Sequence, residues 1–317
     1  MKKKSFIALS ALLLVACSSD NEPQIANNME PMEIKLTGGV ESVNNSTRAG
    51  GIIDKGYSGE LSLSFARIDM DADGNYPTNG YKGISSINAT LNNQQASFST
   101  PQYYLARTAN NSSRMVCWYP NEALDATTAT ATFDISDGDT DVMLSEDMSG
   151  SRSANFSSFT LKHLLTQLKI KAYSPSAVVS ELWGTIKKIE IVDSPTEYIV
   201  TFPIDATSTT YTFAEGTTVQ NISLKGYTNP VGLPIGSASA LDYGHIMIPP
   251  ATKIITLKIT TEKGGVLGET EVTIPSFNYL KSNAYQITLK FNGSDISPTV
   301  SIGEWIVDPT VNEIDVP

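Results

Sequence analysis

The 317-residue sequence is poor in the residues on which most site chemistry depends. It has two cysteines, Cys17 and Cys117, and two histidines, His163 and His245. That rules out a disulfide framework and any zinc site built from closely spaced Cys and His. No Gly-x-Ser-x-Gly elbow and no glycine-rich phosphate loop is present, so the common signatures of hydrolases and nucleotide enzymes are missing. Positive charge is also scarce: 22 Lys and Arg face 33 Asp and Glu, for a net charge of −11 and a pI near 4.7. Nucleic acid, whose phosphates demand a basic surface, is excluded as a partner. Long runs of Leu, Glu, Lys and Ala are lacking, which argues against a helical protein. Thr, Ser, Asn, Gly and Tyr take their place, and the chain reads as all-β. No cofactor is implied and the chain is not expected to be an enzyme.

The amino terminus carries an address. Lys2, Lys3 and Lys4 precede an apolar stretch at 6–15 that is too short to span a bilayer as a helix, the pattern of a signal peptide. It closes on Leu14-Val15-Ala16-Cys17, which resembles the bacterial lipobox. By that resemblance Cys17 is acylated, for example with palmitate, and anchors the precursor in the outer membrane. Two acyl chains hold stably where one does not, each buried methylene contributing ~0.8 kcal/mol. The polar, acidic run 18–22 resembles the export signal of surface lipoproteins. Cys117 is then left without a partner; its setting, Met115-Val116-Cys117-Trp118-Tyr119, predicts a buried, inert thiol.

Beyond the anchor the stretch 32–50 stands out. Met32, Ile34, Leu36 and Val40 share one face of an extended segment, with Glu33, Lys35 and Thr37 on the other. A polar run comes next and ends at Arg48-Ala49, an accessible bond for a trypsin-like protease. The combination predicts a β-strand at 32–40 that can be cut away from the sheet it completes.

Downstream, strand signals recur between turn-rich gaps. Alternation is clear at 61–66, 168–172, 189–191 and 285–291, and Ile255, Leu257 and Ile259 are expected to pair with Val272 and Ile274 through a hairpin turning near Gly264-Gly265. Strands are also expected at 80–91 and 115–119. One short helix is expected within 176–188, with Val178, Leu182 and Ile186 on its apolar face. The length suits two units with separate cores. The economical architecture is two tandem β-sandwiches, divided by a polar linker at 145–155.

Several residues invite a chemical reading. Asp69, Asp71 and Asp73 open like a calcium loop, but the twelfth position is Gly80 and no helices flank it, so a solvated hairpin loop is the first expectation. Trp118, Trp183 and Trp305 are candidates for a glycan-binding face, with core packing as the default. His163 and His245 are expected to be structural.

The order of these features resembles the fimbrillin family, the type V pilus subunits of Bacteroides-like bacteria. The resemblance spans nearly the whole chain: the lipobox, the early strand before Thr47-Arg48-Ala49, Asp141-Val142-Met143-Leu144, the run 161–168, and the run 283–289 leading to Val300-Ser301-Ile302 and Glu304-Trp305. It implies transthyretin-like sandwiches and a precursor of four parts: signal peptide 1–17, propeptide 18–48, an amino-terminal domain 49–150 completed by strand 32–40, and a carboxy-terminal domain 151–317 with tail 306–317. It also implies cleavage between Arg48 and Ala49 by an Arg-specific protease, loss of the first strand, and polymerisation with other pilin subunits by donor-strand exchange. The product would be an adhesive fimbrium at the cell surface, meeting a glycan or protein on host or bacterial cells. The donor segment falls on the tail, where Val311, Ile314 and Val316 are apolar, although Val311 is out of phase and Pro309 interrupts. The alternative is an uncleaved surface lipoprotein, either a pilus anchor or a glycan-binding module.

Overall fold

In the computed structural model the described residues are 30–41, 59–106, 110–205, 207–225, 232–263 and 269–303. They form an all-β protein. In chain order the first ten strands are β1 (Leu36–Val40), β2 (Leu61–Asp69), β3 (Ile87–Asn92), β4 (Gln95–Phe98), β5 (Ser113–Tyr119), β6 (Leu124–Asp125), β7 (Thr130–Asp134), β8 (Met143–Leu144), β9 (Met148–Gly150) and β10 (Phe159–His163). After them come β11 (Thr166–Tyr173), helix α1 (Ala177–Trp183), β12 (Ile186–Pro195), β13 (Glu197–Thr201), β14 (Thr212–Glu215) and β15 (Val219–Ser223). The chain continues with β16 (Leu241–Ile248), β17 (Ala251–Thr261), β18 (Glu269–Tyr279), β19 (Ala284–Phe291) and β20 (Ile296–Ile302).

The first sheet runs β2-β3-β4-β1-β10-β8-β5-β9, and β5 also pairs back to β2, Phe65 opposite Cys117. The amino-terminal part is therefore a closed barrel rather than the expected sandwich. The length of β2 explains it: residues 61–65 pair with β3 and residues 64–69 with β5, so both edges of this strand are used and the strands from β2 to β5 close on themselves. Leu61, Leu63, Phe65, Met115, Cys117 and Leu161 fill the interior. The alternate residues of β2 and β5, among them Ile68, Val116 and Trp118, face outward into a second core that they share with Phe133, Tyr198 and Phe202. This is why β5 is buried on both faces.

That second core lies under a four-stranded sheet, β14-β13-β7-β6, which joins strands from both halves of the sequence. A third core lies among two further sheets, β16-β11-β19-β20 and β15-β12-β17-β18. The expected pairing is found there: Ile255 opposes Ile274 and Leu257 opposes Val272. Residues 264–268, where the turn was expected, lie outside the described residues.

Two local expectations shift. The strand expected at 80–91 begins only at Ile87, because Gly80 has φ +53° and a Cβ there would lie 2.4 Å from the carbonyl oxygen of Pro203. The helix forms, capped by the Ser176 side chain, but Val178 and Leu182 point to solvent. Trp183 and Val179 face the core instead, and the Trp183 indole donates to the Asn292 carbonyl oxygen at 2.7 Å.

Candidate functional site

The expected removable strand occupies an interior place in the barrel. Ile34, Leu36 and Val40 are 2%, 1% and 6% exposed, Met32 packs against the same core, and Glu33, Lys35 and Thr37 face out. Each buried aliphatic side chain of this kind contributes roughly 1.5–3 kcal/mol. On one side β1 runs antiparallel to β4, Leu36 opposite Ala96; on the other it runs parallel to β10, Gly38 opposite Phe159 and Val40 opposite Leu161. Backbone bonds extend the grip past the strand ends. Ile34 N donates to Gln102 O at 2.7 Å, Tyr104 N to Met32 O at 2.9 Å, and Glu41 N to Leu161 O at 2.8 Å. Taking residues 32–41 away would leave β4 and β10 facing each other across a strand-wide apolar slot with two unsatisfied edges.

Gly38, which has no side chain to mark it in the apolar alternation, takes the inward position between Leu36 and Val40. The ring of Phe159 sits where its side chain would be, with a Cβ falling 2.2 Å from Cζ.

Other expected site residues are not brought together. The Asp69 carboxylate accepts from Arg67 Nε at 2.7 Å, while Asp71 Oδ1 accepts the backbone N–H groups of Asp73 and Asn75, each at 2.9 Å. The loop thus caps itself, and among the described residues no group of three or more His, Cys, Asp and Glu could hold a metal ion. Trp118 and Trp183 are both buried in cores. His163 Nδ1 lies 2.6 Å from Asp141 and His245 Nε2 2.9 Å from Asp139, which ties strands β10 and β16 to the 136–142 loop. Cys117 is fully buried, and burial pushes its thiol up to about 12. Cys17, Arg48, Ala49, Trp305 and the donor candidates Val311, Ile314 and Val316 lie outside the described residues.

A polar cluster with no signature in the sequence staples the barrel strand β5 to the segment 208–211. The carboxylate of Asp147 accepts from Tyr81 Oη at 2.6 Å and Tyr211 Oη at 2.7 Å, and pairs with Arg114. Arg114 also donates to Ser208 O at 3.1 Å. Burial, reinforced by the Asp147 charge, raises both phenols well above their ordinary value. Burial works against the Arg114 charge, but the Asp147 carboxylate outweighs it and the guanidinium is raised too. The cluster is neutral in sum and every named donor meets an acceptor, so it serves as a joint and offers no group for catalysis.

Comparison with known proteins agrees with this picture. A family model described as fimbrillin-like matches residues 69–305. Among solved structures, a Bacteroides ovatus protein named for cell adhesion is 14% identical, with 88% of this chain and 100% of its own covered at a TM-score of 0.56. A Bacteroides uniformis protein, likewise named for cell adhesion, is 15% identical, with 87% of this chain and 99% of its own covered at a TM-score of 0.53. At such identities the likeness speaks to the fold alone. Among curated proteins no relative matches.

Proposed function

The chain belongs to the fimbrillin-like family, and from that premise we propose that it is a fimbrial subunit built to be opened and refilled by another strand. The family is structural and adhesive, not enzymatic, and its members polymerise at the cell surface. In the proposed pathway the precursor is exported as an outer-membrane lipoprotein through Cys17 and cleaved between Arg48 and Ala49. It then loses residues 32–40 and takes a donor strand from a neighbouring subunit in their place. The division into an amino-terminal unit at 49–150 and a carboxy-terminal unit at 151–317 belongs to the same proposal, with β10 from the second stretch completing the barrel of the first and β13 and β14 pairing onto β7.

One observation carries the reading: β1 is an interior strand of a closed barrel, with backbone partners on both sides, yet it is tied to the rest through the stretch that contains Arg48. An edge strand that leaves exposes one backbone edge. An interior strand that leaves exposes paired edges that only another strand can satisfy, as in β-augmentation. Head-to-tail contacts of this kind do not close and therefore build filaments.

Limited digestion of the purified precursor with a trypsin-like protease should cut at Arg48 and then yield ladders that resist SDS. Normal assembly by an Arg48→Ala variant would defeat the activation scheme.

A further inference from the structure

The seat of β1 selects by size as well as by hydrophobicity. Its inward positions are Ile34, Leu36, Gly38 and Val40, and the outward ones, Lys35, Thr37 and Gly39, make no comparable demand. At Gly38 the space is already filled. A Cβ there would lie 2.2 Å from Cζ of Phe159 and 2.4 Å from both Cε atoms, well inside contact distance. Phe159 is the residue directly opposite Gly38 in the parallel pairing with β10. It is only 3% exposed and stands edge-on to Phe65 at 5.7 Å, and Phe65 is in turn edge-on to Phe98 at 5.1 Å. The ring therefore has little room to retreat without repacking the barrel interior.

We infer that Phe159 makes the slot selective for a strand with glycine at this inward position, so that residues 304–317 of a second copy fit it poorly. The inference rests on the strand-exchange reading and narrows it. The tail of this chain, residues 304–317, contains no glycine, alanine or serine. In any register, and in either direction, it would set a side chain larger than a methyl group against the Phe159 ring. The fitting partner is an extended segment that reads apolar, any, apolar, any, Gly, any, apolar, or the reverse, as residues 34–40 themselves do. Residues 304–317 of a second copy would then be a poorer donor than such a segment.

The test uses the full chain and a Phe159→Leu variant, both digested at Arg48, with two synthetic peptides. One peptide copies residues 32–41 and the other carries Gly38→Val. Release of the amino-terminal fragment is followed by mass spectrometry, peptide capture by fluorescence, and self-assembly by SDS-resistant ladders. The digested wild type should capture the glycine peptide about tenfold more tightly than the valine peptide, as overpacking one buried site predicts. Phe159→Leu should take both peptides alike and form ladders faster on its own tail. If the wild type captures both peptides equally, or forms ladders as fast as Phe159→Leu, the selectivity is overturned while exchange stands. If the amino-terminal fragment stays bound in both proteins, exchange itself fails and the selectivity falls with it. The steric premise has its own check in the undigested chain. Gly38→Val should lower the melting temperature and Phe159→Leu should restore part of the loss, whereas additive effects would show that the ring is not the obstacle.

Discussion

Strand β1 and the β17–β18 hairpin are both buried against apolar cores, yet they are held in opposite ways. The hairpin joins two eleven-residue strands that are neighbours in sequence, paired from Ala251–Tyr279 to Thr260–Glu269. The β1 strand has five residues, with two in register against β4 and three against β10, both far away in the chain. A long local hairpin opens only when its unit unfolds. A short strand gripped by distant partners can open by itself, so burial and permanence are separate properties.

The largest effect should come from the carboxy-terminal core. Leu257→Ala, at a fully buried site opposite Val272, should cost about 2–5 kcal/mol of global stability in a urea titration. Leu36→Ala removes a side chain as deeply buried, but its global cost is capped by the free energy of detaching β1. It should instead speed amide exchange at Ile34 and Gly38. Equal global losses for the two variants would erase the contrast.

A smaller and more local signal comes from Cys117, which shares the barrel interior with Ile34 and Leu36. Because burial holds the thiol near 12, alkylation should be slow in the precursor at pH 8 and accelerate once β1 is released, read as mass added per hour. An unchanged rate would mean that the slot stays shut.

The smallest effect concerns pH. The hydrogen bond from His245 outweighs burial and holds the Asp139 carboxyl below its usual range. A carboxyl depressed in the folded state stabilises fully above its unfolded pKa of about 3.9, and that contribution is lost as pH falls through the lower folded value. Asp139 is half exposed, so solvent screens much of the effect. Asp139→Asn should flatten the acid limb of the melting curve slightly, and the barrel, monitored at Cys117, should not respond.

Much of the fold was legible because strand periodicity is local. Ile34, Leu36 and Val40, the alternation at 168–172 and 285–291, and the opposition of Ile255 to Ile274 all come from the order of side chains along one strand or hairpin. The helix shows the limit of such signals. Ser176 marked its start, but the choice between the Val178–Leu182 face and the Val179–Trp183 face depended on what lay beneath it. The Asp147 cluster was not legible, because Tyr81, Arg114 and Tyr211 reach it from three separate stretches. Nor did Gly38 stand out, since a glycine within an alternating segment carries no sign of a ring above it.

By itself, the sequence determined the all-β class, the apolar face of residues 32–40 and the positions of Cys17 and Arg48, because these are properties of neighbouring residues. Only the tertiary structure decided that the first half closes as a barrel, that β1 lies between β4 and a parallel β10, and that Phe159 fills the space above Gly38. Those outcomes depend on contacts between residues as much as 121 positions apart, and such contacts are chosen by how whole faces pack.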